Sequence, residues 1–169
     1  MEALDGLTNG GVEDAVAFVR NFLLLIALAA ALFFFAMRAG RAILVSLILS
    51  LYVGFALYAS FPFKEELTFG ESPFMRALSG LALFGILSFG PYLILRRVSS
   101  AGGMKMNPFA LALLALATGG FVLALGYQVL DIASLVPLTP ALDALFSPDP
   151  YFFWWCAAPL VGIFLTTRR

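Results

Sequence analysis

Apolar residues along this chain fall into long unbroken runs separated by short polar breaks, without period-two alternation. Phe22 to Met37 and Ala42 to Phe63 carry no charge, and only Arg38-Ala-Gly-Arg41 stands between them. Two such runs joined by four residues predict a helical hairpin of the membrane type. The first run covers only about 24 Å at 1.5 Å per residue, short of a hydrocarbon core of about 30 Å. The predicted span is therefore extended back to Val16, with Arg20 snorkelling to the interface. Thr8 or Asn9 would cap that helix, placing Glu13 and Asp14 in its first turn, where the helix dipole favours acids.

The second span runs from residue 42 to about 62 and stops at Pro62. Lys64, Glu65, Glu66, Thr68, Gly70, Glu71 and Pro73 form a polar connection. Phe61, Phe63, Leu67, Phe69 and Phe74 interleave with it, which predicts an interfacial segment. The third span, about 74–95, holds Gly90-Pro91, a candidate kink. The fourth opens on Pro108, suited to a first helical turn, and reaches about residue 130. Prolines 137, 140, 148 and 150 forbid a long helix there. Thr139-Pro140 predicts an N-cap and first turn of a short helix over 139–146, with Leu142, Leu145 and Phe146 laid on the membrane surface. The fifth span, 151–167, begins in an aromatic belt that includes Trp154 and Trp155, at headgroup level.

Composition agrees with that pattern. The chain has 169 residues, 62% hydrophobic and 12% charged, about half the charge of an average soluble domain. A water-soluble globule of this size exposes too much of its area to hide so much apolar surface. In hydrocarbon every backbone polar group must be paired internally, so unbroken runs predict helices rather than a barrel. The expected fold is all-α: a single integral membrane domain over residues 1–169, a polytopic bundle of five transmembrane helices. Four spans are expected if the last segment, short and holding Pro159, is interfacial instead.

Charge then orients the bundle. Arg38, Arg41, Arg96, Arg97, Lys105, Arg168 and Arg169 fall on one side of the five-span plan with no acid among them. Arg20, Lys64 and Arg76 fall on the other, with all ten acids. Basic residues in short loops stay cytoplasmic, so the N-terminus is expected outside and the C-terminus in the cytoplasm of a cell that carries the chain in its inner or plasma membrane. The paired arginines Arg96–Arg97 and Arg168–Arg169 are expected to meet anionic headgroups. The acids near the start do not suit the basic first region of a secretory signal.

Chemistry is sparse. The chain has no histidine and one cysteine, Cys156, which removes the commonest neutral-pH base, any intramolecular disulfide and any CxxC metal site. No ionisable residue lies in the centre of a predicted span, against proton relay or ion-coupled transport. Ser46, Ser50 and Gly54 recur every four residues on the second span and continue to Tyr58, a small-residue stripe where another helix can approach closely. On the fourth span Ala112, Ala115 and Gly119 share one face, and Gly120 and Ala124 another. Packing is the reading adopted for these stripes; unwinding at Gly119-Gly120, as in carriers, is the alternative. Gln128 beside Tyr127 is read as a polar tie between helices. A divalent cation held by Glu65, Glu66, Glu71, Asp131, Asp143 and Asp149 matches no calcium-loop spacing. No cofactor and no nucleic-acid partner are expected. The expected partners are the bilayer and other membrane subunits or a second copy. The function expected is a non-enzymatic scaffold, assembly factor or subunit of a membrane complex. A transporter or channel component is one alternative, and an enzyme acting on lipid through outer carboxylates another.

Overall fold

The computed structural model describes residues 16, 18–68, 72–99, 107–130 and 139–167, with the side chains of 65, 99, 166 and 167 outside that description. The described residues form seven helices and no strand: α1 (Leu23–Ala39), α2 (Arg41–Ala59), α3 (Lys64–Leu67), α4 (Pro73–Ser99), α5 (Pro108–Val129), α6 (Pro140–Phe146) and α7 (Asp149–Thr167). Residues 18–21 are helical ahead of α1, and the Ile26 amide donates to the Phe22 carbonyl across the junction. The proposed caps at Thr8 and Asn9 lie outside the described residues, as do Lys105, Arg168 and Arg169.

Local chemistry sets most boundaries. One residue, Gly40, separates α1 from α2; its φ of +94° lies where side chains other than glycine are strained. Ser72 opens α4: its hydroxyl accepts from the Met75 amide at 3.2 Å, with Pro73 at the first helical position. Asn107 caps α5 by accepting from the Phe109 amide at 3.1 Å, again ahead of a proline. Thr139 sits at the N-cap position of α6 but makes no side-chain cap. Its hydroxyl donates instead to the Asn21 carbonyl at 2.7 Å, tying α6 to the start of the first helix.

Among the described residues three helices are long and apolar enough to cross a membrane: Arg41–Ala59, Pro73–Val98 and Pro108–Val129. The apolar helices Leu23–Ala39 and Asp149–Leu165 are shorter. α4 continues as a helix through Pro91 and α7 through Pro159, and α5 passes Gly119-Gly120 without the alternative unwinding. Pro159 removes the amide that would bond the Trp155 carbonyl. The next carbonyl, Cys156, accepts from the Tyr52 hydroxyl of α2. A neighbouring helix thus supplies a donor beside the point where proline disturbs the ladder.

Chain neighbours are not the main packing partners. α1 and α2 pack less on each other than on other helices: α1 packs chiefly on α5, and α2 chiefly on α4, while α7 lies on the other side of α5. Leu25 meets Leu123 and Ala124, and Ala36 meets Leu111 and Leu114, so α1 runs antiparallel to α5 along its length. Gly120 lies against Trp155 and Gly162 against Leu114, so α7 is antiparallel to α5 as well. Tyr58 packs on Phe84 and Gly54 on Ser88, which sets α4 antiparallel to α2. These registers gather the C-terminal ends of α1, α4 and α7 with the N-terminal ends of α2 and α5.

α5 is the hub. Of its most apolar stretch 61% is buried inside the chain, against 17% for α4. α4 therefore stands at the periphery, held almost wholly by α2.

Candidate functional site

Each small-residue stripe is occupied by a helix of the same chain. Ser46, Ser50, Gly54 and Tyr58 are all buried on α2. Ser46 donates back to the Ala42 carbonyl at 2.9 Å and Ser50 to the Leu47 carbonyl at 2.7 Å, which satisfies both hydroxyls locally. Gly54 faces Ser88 of α4 so closely that a β-carbon on it would fall 2.0 Å from Ser88 Oγ. Ser88 Oγ itself is buried and makes no hydrogen bond. Tyr58 completes the contact, its hydroxyl against Gly80 and its ring edge-on to Phe84, while Lys64 Nζ lies 4.5 Å from its ring centroid.

α5 divides its small residues between two partners. A β-carbon on Gly119 would sit 3.4 to 3.6 Å from Ala29 of α1, in ordinary contact. One on Gly120 would sit 2.0 Å from the Trp155 ring of α7. Ala115 and Ala124 are buried beside them, whereas Ala112 is exposed. Adjacent glycines point about 100° apart on a helix, so one serves α1 and the other α7.

The end of the bundle remote from the hairpin is closed by α6. Leu142 and Phe146 are fully buried against Leu25, Leu123 and Ala124. The Phe146 ring lies between Tyr127, stacked at 5.9 Å, and Trp155, tilted at 4.9 Å. Three polar ties hold this cap: Tyr127 donates to Asp143 at 2.7 Å, Gln128 to the Ser147 carbonyl at 2.8 Å, and Trp155 Nε1 to the Leu145 carbonyl at 3.4 Å. The apolar face expected on the membrane surface is thus turned into the bundle, because a slot between α1, α5 and α7 removes it from solvent and lipid alike. Trp155 likewise faces inward, and only Trp154, 68% exposed, looks outward. Neighbouring positions on a helix cannot share one face, so one tryptophan packs and the other meets the surroundings.

A crevice of about 420 Å³ opens between α1, α2 and α4. Its walls are Leu32 and Phe35 from α1, Leu47 and Leu51 from α2, and Gly85 and Phe89 from α4. Ser50 and Ser88 contribute to its floor, and Tyr92 stands toward the hairpin end. Its surface is almost entirely apolar.

Charges at the two ends differ. The hairpin end carries Arg38, Arg41, Arg96 and Arg97 and no acid among the described residues. The opposite end carries Arg20, Lys64 and Arg76 with Glu66, Asp143 and Asp149. Glu71 and Asp131 lie outside the described residues; among those described, no three of His, Cys, Asp and Glu gather into a metal-holding group.

Fold and surface together define a class: among the described residues all regular structure is helical, with three apolar helices of membrane-crossing length. No family model, curated protein or solved structure matches the chain. Residue patterns had not singled out Ser88, Gly80 or the Tyr52–Cys156 bond. Ser88 lies in an otherwise apolar run, and the Tyr52 partner is a carbonyl, which carries no signature in a sequence.

Proposed function

We propose that this chain is a non-enzymatic, five-span protein of a cell's inner or plasma membrane that acts as a scaffold, assembly factor or subunit of a larger membrane complex. The five-span reading is supported by register. α1 and α7 run alongside most of α5, so a bilayer that takes in α5 takes in both shorter helices. The arginine-rich end then faces the cytoplasm, since basic residues beside spans set orientation.

The observation that carries the scaffold reading is the outer face of α4. The small-residue stripes of α2 and α5 are already filled from within, which removes them as docking faces. α4 instead leaves Ile86 72% and Ile94 66% exposed, and a β-carbon on Gly90 of the same face would meet nothing within 4 Å. Glycines open to the surroundings cost helix propensity, about 1 kcal/mol each against alanine, yet they let a foreign helix approach closely. The test is purification in mild detergent with cysteine crosslinking at positions 86 and 94. The expected result is a crosslinked partner or second copy on α4. A monodisperse monomer with no crosslink at either position refutes the reading. Reporters fused after Arg97 and after Asp149 are expected in opposite compartments.

A further inference from the structure

We infer that the crevice between α1, α2 and α4 is a binding site for one anionic glycerophospholipid, its acyl chain in the crevice and its phosphate among the arginines of the hairpin end. The inference rests on the membrane reading above and adds a ligand to it.

Depth is the first argument. On α4 the crevice spans Gly85 to Tyr92, four to eleven residues before Arg96. At 1.5 Å per residue that is about 6 to 17 Å below the guanidinium level. On α1 Leu32 and Phe35 lie within about 10 Å of Arg38 by the same rise. That is acyl-chain depth beneath a headgroup. Arg96 also follows Tyr92 by four residues, on the face of α4 that lines the crevice.

Lining is the second: the crevice, about 420 Å³ in volume, presents almost only apolar surface, which suits a hydrocarbon chain. Leu47, Leu51 and Phe89 give that chain an apolar wall and offer it no hydrogen bond. Charge is the third argument. The hairpin end above the crevice carries four arginines and no described acid, so an anionic head is favoured over a zwitterionic one, and each arginine near the surface contributes several-fold in affinity.

The test uses the full chain purified in neutral detergent, with native mass spectrometry after adding phosphatidylglycerol or phosphatidylcholine. One phosphatidylglycerol is expected to remain bound, with a preference of about ten-fold or more over phosphatidylcholine. Gly85→Leu fills the crevice without a clash at its β-carbon and is expected to abolish retention. Ala112→Leu, on the exposed side of α5, is expected to leave it intact. Arg38→Gln with Arg96→Gln is expected to erase the headgroup preference while the helical content by circular dichroism stays unchanged. Equal binding of both lipids, or undiminished retention by Gly85→Leu, overturns the inference. Alkaline extraction of membranes separates the two readings: a chain that stays in the pellet is membrane-integral whatever the lipid result.

Discussion

Replacing Gly120 with alanine places a methyl carbon 2.0 Å from Trp155 Cζ3, 2.3 Å from Cε3 and 2.9 Å from Cη2. Ordinary contact needs more than 3.4 Å, so the ring must retreat by well over 1 Å. It has little room, because the Phe146 ring packs on it at 4.9 Å and Trp155 Nε1 is tied to Leu145. Overpacking of this kind costs about 1–3 kcal/mol, and loss of the indole hydrogen bond adds about 1 kcal/mol. Better helix propensity returns about 1 kcal/mol. The net expectation is a loss of about 1–3 kcal/mol. Gly119→Ala, one residue away, meets Ala29 at 3.4 to 3.6 Å and is expected to range from neutral to about 1 kcal/mol stabilising. Unfolding of the protein in mixed micelles, followed by circular dichroism, measures both. In a Trp154→Phe background, Trp155 emission reports the ring directly. The packing argument fails if the two alanine variants unfold within 0.5 kcal/mol of each other, a margin set by the scatter of independent substitutions (about 0.3–0.5 kcal/mol), or if Gly120→Ala leaves the Trp155 emission unmoved.

Two further outcomes follow from the interfaces. Tyr52→Phe removes the hydroxyl donated to the Cys156 carbonyl beside Pro159 and is expected to lower stability by about 1 kcal/mol; an unchanged midpoint in the same micelle assay contradicts the bond. Gly54→Ala drives a methyl to 2.0 Å from Ser88 Oγ and 2.8 Å from its Cβ, at a cost of about 1–3 kcal/mol. Ser88→Gly is expected to restore most of that loss and Ser88→Ala less. Ser88→Ala alone should be neutral or stabilising, since it removes a buried hydroxyl with no hydrogen bond.

Much of the helical plan was written in the pattern of residues. Pro108 after Asn107, Pro73 after Ser72 and Gly40 between two apolar runs mark helix ends that local chemistry alone imposes. The stripes Ser46–Ser50–Gly54 and Gly119–Gly120 could be read as close-approach faces, because periodicity reveals which positions share a side. It does not reveal the partner. Gly54 could have met α1, α5 or another molecule; it meets Ser88 of α4. Phe146 was visible as part of an apolar face, but whether that face met lipid or the bundle depended on the slot left between α1, α5 and α7.

The order of residues by itself determined helices, their apolar character, the hairpin at Gly40 and the unequal charge of the two ends. Those follow from the length of the uncharged runs and from side chains within one turn of each other. Tertiary structure alone decided that α5 is the hub, that α4 hangs on α2, that Trp155 turns inward and that a crevice opens beneath the arginines. Such choices hinge on how well separate surfaces interlock at distances of a few ångströms, and that fit belongs to pairs of helices far apart in the chain.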